Sequence, residues 1–155
     1  MPKLFPKKLS DAYSKKGLIK FIDCYTHQID EEAQDSKNIY RIPSPIAFTE
    51  ICIMLSKIEN DYKKKCFLLL DSLSTLLIYS TSATVGRFLQ VIIGRVKKNK
   101  GSFLATIEKK MHEEKDIITI QHFMDSLIEM KISKNKQYYK YTGVSNFSKK
   151  WIEIK

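Results

Sequence analysis

The stretch that most constrains this chain is Cys66-Phe-Leu-Leu-Leu-Asp-Ser-Leu-Ser74, an unbroken apolar run closed by Asp71 and Ser72. After Lys63, Lys64 and Lys65, the run has the length and composition of a strand buried on both faces, as in a parallel sheet covered by helices. Such a strand delivers Asp71 to the carboxyl edge of the sheet, where ligands bind in open α/β folds. A carboxylate there, followed by the Ser72 hydroxyl, suits a magnesium–nucleotide site, with Asp71 holding the ion's water shell and Ser72 orienting it. The same pair also suits a plain strand end, because Asp caps strands and opens turns.

The flanking sequence supplies alternating elements. Residues 1–16 read as a short helix or irregular leader, and residues 18–25 have the β-branched and aromatic content of a strand. A polar loop over 27–38 leads to a brief extended piece at 39–42, ended by Pro43. Ser44-Pro45 offers an N-cap and a first-turn proline for a helix whose stripe is Phe48, Ile51, Met54, Leu55, Ile58 and Tyr62. Beyond the Asp71 strand, Ser82 can cap a second helix with the stripe Val85, Phe88, Leu89, Ile92 and Val96, ended by Gly101.

Residues 102–107 read as a strand with Glu108 at its carboxyl end, as Asp71 is at its own. A charged segment at 109–116 precedes a helix at 117–124 and a strand at 127–132. Residues 137–142 and 151–154 alternate apolar and polar side chains, the pattern of antiparallel strands with one exposed face. Strand–helix alternation implies a mostly parallel sheet with crossover helices, closed by a C-terminal antiparallel hairpin. No repeat or composition shift marks a second domain, so residues 1–155 are expected to form one.

Composition narrows the function classes. A 155-residue chain that is 43% hydrophobic can build a core. Its three cysteines, Cys24, Cys52 and Cys66, lack CxxC spacing and read as small buried hydrophobes in a reducing compartment. The opening has no apolar signal region, and the longest apolar region, 66–79, is broken by Asp71, Ser72, Ser74 and Thr75. A cytoplasmic protein without a membrane partner is expected.

The net charge of +10 comes almost wholly from lysines dispersed at the ends of elements, which favours anions in general over a designed nucleic-acid face. His112 and His122, with Glu113, Glu114 and Asp116, form too loose a grouping for zinc. Cys24 and His27 lack a third orienting group for thiol catalysis. Tyr138, Tyr139, Tyr141 and Trp151 interleave with lysines as stacking platforms for single-stranded nucleic acid do, and equally as the aromatics of a half-buried hairpin do.

Several stretches together resemble the archaeal KaiC-like group of the RecA superfamily of ATPases. They are Lys20-Phe-Ile-Asp-Cys-Tyr25, Ile42-Pro-Ser-Pro-Ile46, Leu68-Leu-Leu-Asp-Ser-Leu-Ser-Thr-Leu-Leu77 and Arg87-Phe-Leu-Gln-Val91 through Gly94-Arg95. The others are Ala105-Thr-Ile-Glu108, Met111-His-Glu113, His122-Phe-Met-Asp-Ser-Leu-Ile-Glu129 and Val144-Ser-Asn-Phe-Ser-Lys-Lys-Trp151. They run in the family's order over residues 17–155.

The resemblance makes the Asp71 strand the Walker B strand, with Asp71 and Ser72 beside a nucleotide and Asp71 near Mg²⁺ only when nucleotide is bound. It places Glu108 toward the γ-phosphate region. Lys140-Tyr-Thr-Gly143 resembles a Lys-x-Arg-Gly segment that reaches a neighbouring subunit's nucleotide; Lys140 fits, while Thr142 stands where arginine is expected. ATP and Mg²⁺ are the cofactors implied.

The family's front half is where the sequence departs. A strand, the phosphate-binding loop Gly-x4-Gly-Lys-Ser/Thr, its helix and a strand ending in the catalytic glutamate should precede residues 21–25, but only twenty residues do, and the resemblance begins at about residue 17. None of Gly17, Gly86, Gly94, Gly101 and Gly143 is followed by Lys-Ser or Lys-Thr, so the 155 residues hold no P-loop.

The sequence therefore predicts a partial RecA-like α/β domain with little or no ATPase activity alone. It would serve as a non-catalytic interaction or regulatory module in a homo-oligomer or with a full-length KaiC-like paralogue. Interior strand edges left unpaired would favour association. Two rivals are an ATPase subunit using Asp71, Ser72, Glu108 and Lys140 with a partner's P-loop, and a basic nucleic-acid binder using the hairpin at 134–151.

Overall fold

A computed structural model describes residues 12–62, 65–143 and 150–154. The first eleven residues of the expected leader, two lysines of the 63–65 run, the Tyr62 side chain and most of the Val144–Trp151 stretch lie outside the described residues.

Two short parallel strand pairs come first. β1 (Phe21–Asp23) pairs with β2 (Ile39–Arg41), and the Ile42 N–H donates to the Asp23 carbonyl at 2.8 Å to extend the ladder. β3 (Phe67–Leu70) pairs with β4 (Ser102–Ala105), Leu70 opposite Ala105. At the entrance to this pair a β-carbon on Gly101 would lie 2.5 Å from the Cys66 carbonyl oxygen, so only glycine lets the two chains approach so closely.

Helices α1 (Phe48–Tyr62), α2 (Leu73–Tyr79), α3 (Ser82–Lys98) and α4 (Glu114–Gln121) complete the α/β part. The whole expected stripe of α3 is buried, and it packs with Ile51 and Leu55 of α1, Leu73 and Leu76 of α2, and Ile120 of α4. Phe48 stacks on Phe88 with ring centroids 4.4 Å apart. Leu68 and Leu70 of β3, with Ile22 and Cys24 at β1, pack against the same cluster.

β5 (Ser126–Ser133), β6 (Lys136–Gly143) and β7 (Ile152–Glu153) form a separate antiparallel sheet in the order β5-β6-β7. Lys134 and Asn135 make the two-residue turn between β5 and β6, both with positive φ, as the favoured hairpin turns require.

Several expectations are corrected. Among the described residues the strands form three small sheets in place of one mostly parallel sheet. The strand expected at 127–132 as the last of the parallel alternation pairs antiparallel with β6, because a two-residue turn can join only antiparallel neighbours. β3 is not buried on both faces: Phe67 is 65% exposed, and β4 is its single neighbour among the described residues. The segment after Asp71, to which the sequence reading gives no element, is helix α2, capped by Ser72.

The caps also shift. Thr81, in extended conformation, caps α3 by accepting from the Thr84 N–H at 3.3 Å, one residue before the expected Ser82. Ser44 makes a turn ahead of α1, accepting from the Ala47 N–H at 3.1 Å through its carbonyl, so the helix starts at Phe48. α4 begins at Glu114, earlier than expected, with Glu114 and Asp116 suiting the positive end of the helix dipole.

Candidate functional site

The carboxyl ends of β3 and β4 are tied together. The Thr106 N–H donates to the Leu70 carbonyl at 3.1 Å, and the Leu73 N–H donates back to the Thr106 carbonyl at 2.9 Å. These bonds set Asp71 beside Thr106, whose hydroxyl donates to Asp71 Oδ1 at 2.7 Å. Ser72 serves α2 as its N-cap, accepting from the Thr75 N–H at 3.4 Å. The buried Ser74 hydroxyl accepts from the Glu108 N–H at 2.8 Å, which fixes the turn after β4 against the first turn of α2. The Asp71–Ser72 peptide is cis.

Asp71, Ser72 and Glu108 thus share one edge, as expected of parallel strands whose ends lie side by side. Thr106 and Ser74 are the residues that sequence reasoning missed. Thr106 sits inside the quoted Ala105-Thr-Ile-Glu108, so its place one residue past β4 was the available signal.

Asp71 and Glu108 are both exposed, and one Asp71 oxygen is engaged by Thr106. Among the described residues no three His, Cys, Asp or Glu side chains converge as a metal-binding group. One partly engaged carboxylate cannot by itself strip and hold Mg²⁺, which needs several oxygen ligands supplied largely by phosphates and water. The side chains at this edge do not make up a complete Mg²⁺–nucleotide site.

Lys140 lies elsewhere, on β6. It forms an ion pair with Glu129, its direct cross-strand neighbour on β5, and Lys109 reaches the same carboxylate at 3.1 Å. The Lys140 hydrogen bond is the main cause holding the Glu129 carboxyl below the usual carboxylate range; Lys109 assists, and partial burial opposes. Lys131 and Lys140 both lie over the Trp151 ring, at 4.0 and 5.3 Å from its centroid. Pairing places Tyr138 and Tyr139 on opposite faces of the sheet, so the aromatics do not form one continuous stacking platform.

Burial, helped by Asp23, pushes the Cys24 thiol up to about 11, so it stays protonated near neutral pH and is a poor nucleophile. Asp23 is pulled the other way: burial would raise it, but the Thr26 hydroxyl, the Tyr25 and Thr26 N–H groups and Arg41 together hold it below its ordinary value. Arg41 Nε and Nη1, and His112 Nε2, are buried without hydrogen-bond partners among the described residues. An open groove of about 430 Å³ between α1 and α3, lined in part by Cys52, Ile53, Arg87, Phe88 and Val91, does not include Asp71 or Glu108. No helix among the described residues is long and apolar enough to cross a membrane.

These features define a mixed α/β protein with two short parallel strand pairs, a C-terminal antiparallel sheet, and a polar strand edge formed by Asp71, Ser72, Thr106 and Glu108. Residues 6–130 match the family described as Family of unknown function (DUF7504), and the chain belongs to that family. No curated protein matches it.

Proposed function

We propose that this chain is a P-loop-less, RecA-like relative of the archaeal KaiC-like ATPases, acting as a non-catalytic interaction or regulatory module. The observation that carries the reading is the β3–β4 edge. An Asp-Ser pair follows an apolar parallel strand, a Thr-x-Glu follows its parallel neighbour, and Thr106 bonds Asp71 across the two. The Walker B half of a nucleotide site would have this layout. The phosphate cradle, whose backbone N–H groups and lysine supply most of the grip on the β- and γ-phosphates, has no counterpart in the 155 residues.

The reading is supported by the order of the resembling stretches and by the incomplete donor set at Asp71. It assigns Asp71, Ser72 and Glu108 to an inherited edge and makes any ATP or Mg²⁺ contact dependent on phosphate-binding groups from outside these residues.

The test is a titration of a fluorescent ATP analogue with Mg²⁺ into the purified chain. No saturation below about 1 mM is expected, equivalent to less than about 4 kcal/mol of binding free energy. Micromolar binding that is lost in Asp71→Ala would overturn the reading and favour a working nucleotide site. Hydrolysis appearing only on mixing with a full-length ATPase of the resembling group would make the chain a catalytic subunit instead.

A further inference from the structure

The open groove between α1 and α3 sets exposed apolar side chains between two arginines. Along α3, Arg87, Val91 and Arg95 recur every fourth residue, so they stand in one row on the groove's wall. Phe88, stacked on Phe48, forms the floor, and Ile53 of α1 lines the facing wall. Val91 is 53% and Ile53 63% exposed, so the middle of the groove is apolar and open to water. At the helical rise per residue, the two arginines sit about 12 Å apart along α3, with that apolar middle between them.

The chain itself uses these arginines only in part. Arg87 is exposed, and its hydrogen bond among the described residues runs from Nη2 to the Thr84 hydroxyl at 3.4 Å, a long bond to a neutral acceptor. Arg95 donates from Nη1 to the Cys52 carbonyl at 2.9 Å and to the Ser56 hydroxyl, and the same nitrogen lies 3.9 Å from Glu59. These contacts fix the Arg95 guanidinium against α1 through one nitrogen and leave the rest of its planar fork to meet an acid. None of the described residues lining the groove is acidic. Lysine supplies nearly all of the chain's positive charge, yet two of its three arginines stand here, and arginine is the side chain that grips a carboxylate with two parallel bonds.

We infer that this groove receives an acidic amphipathic helix of a partner protein, which seats an apolar side chain between Ile53 and Val91 and carboxylates on Arg87 and Arg95. The trough between two helices accepts a third at about 8–10 Å from each, and a helix so placed presents its anchors at the same four-residue spacing as the Arg87, Val91 and Arg95 row. Charge selects the occupant. A groove with two arginines and no acid, on a chain of net charge +10, attracts an acidic partner and repels a second copy of itself. Shape selects a rod over a flat anionic bilayer, which would meet the rims of the groove and leave the Phe88 floor uncovered. The inference rests on this groove, which holds neither Asp71 nor Glu108, and is independent of the nucleotide reading.

The experiment is fluorescence anisotropy of a labelled, side-chain-stapled model helix titrated with the full chain, with circular dichroism of every variant. The helix carries a central leucine with a glutamate one turn to either side, and a twin carries lysines in place of the glutamates. The acidic helix should saturate in the micromolar range, weaken as salt rises, and bind at least tenfold tighter than its twin. Arg87→Glu and, separately, Val91→Asp should each weaken it at least tenfold while leaving the spectrum unchanged. Lys15→Glu, the same charge change away from the groove, should leave it within about twofold. No binding of the acidic helix, equal binding of the twin, indifference to both groove variants, or an equal loss in Lys15→Glu would each overturn the inference. Binding to phosphatidylserine vesicles that Arg87→Glu abolishes would overturn it in favour of a membrane surface. Nucleotide enters none of these readouts, so this test and the ATP titration fail separately.

Discussion

The α/β part and the C-terminal sheet treat apolar side chains in opposite ways. Among the described residues every buried hydrophobic side chain lies between Ile42 and Ile120, and none belongs to β5, β6 or β7. In the first region, helical spacing gathers Val85, Leu89, Ile92, Ile51, Leu55 and Leu73 into one cluster. In the second, strand alternation is as clear, but it separates an ion-paired face from an apolar face whose Ile128, Met130 and Ile132 are exposed. Periodicity determines which side chains share a face. Whether that face is buried depends on a packing partner, and the sheet lacks one within the described part of its own chain.

The sharpest test of this contrast is to truncate one large apolar residue in each region. Leu89→Ala, at a position with no exposure, is expected to cost roughly 2–5 kcal/mol in urea unfolding, whereas Ile132→Ala, on an exposed strand face, should stay within about 0.5 kcal/mol. Equal losses would break the contrast.

A second pair of variants tests how tightly the first region is packed. Gly101→Ala forces a methyl against the Cys66 carbonyl and should destabilise by roughly 1–3 kcal/mol. Gly94→Ala, on α3 where a β-carbon would meet nothing within 4 Å, should stabilise by about 0.5–1 kcal/mol through helix propensity alone. Thermal unfolding of both reads the difference in sign.

The smallest effect concerns the ion-paired face of the sheet. The folded chain holds the Glu129 carboxyl below its ordinary value, chiefly through Lys140, so the stabilisation it gives is fully present above the ordinary carboxylate range. It is lost as pH falls through the depressed folded value. Exchange protection in β5 and β6 should therefore decline on acidification in the wild type and more weakly in Glu129→Gln. Parallel acid profiles would remove Glu129 from the account.

Much of this was legible in the sequence because local rules decided it. The α3 stripe, the extended pieces at β2 and β4, and the placing of Asp71 and Glu108 at one edge follow from spacing and from the neighbouring ends of parallel strands. The β5–β6 turn was hidden because Lys134 and Asn135 adopt positive φ without the glycine that usually announces such a turn. The α2 helix was hidden because Leu73 to Tyr79 continues an apolar strand run, and the break comes only from Ser72 acting as a cap. Thr106 and Ser74 could not be tied to Asp71 and Glu108 from sequence, since those bonds join residues more than thirty positions apart. The inverted sheet was half visible: its alternation was plain, but which face met water depended on the Lys109–Glu129 tether.

The most direct measurement of the contrast is native-state hydrogen exchange on the intact chain. The amides of α3, whose apolar stripe is wholly buried, are expected to exchange only through global unfolding, whereas those of β5 and β6, whose Ile128, Met130 and Ile132 are exposed, should open at a clearly lower free energy. Equal protection in the two regions would contradict the contrast.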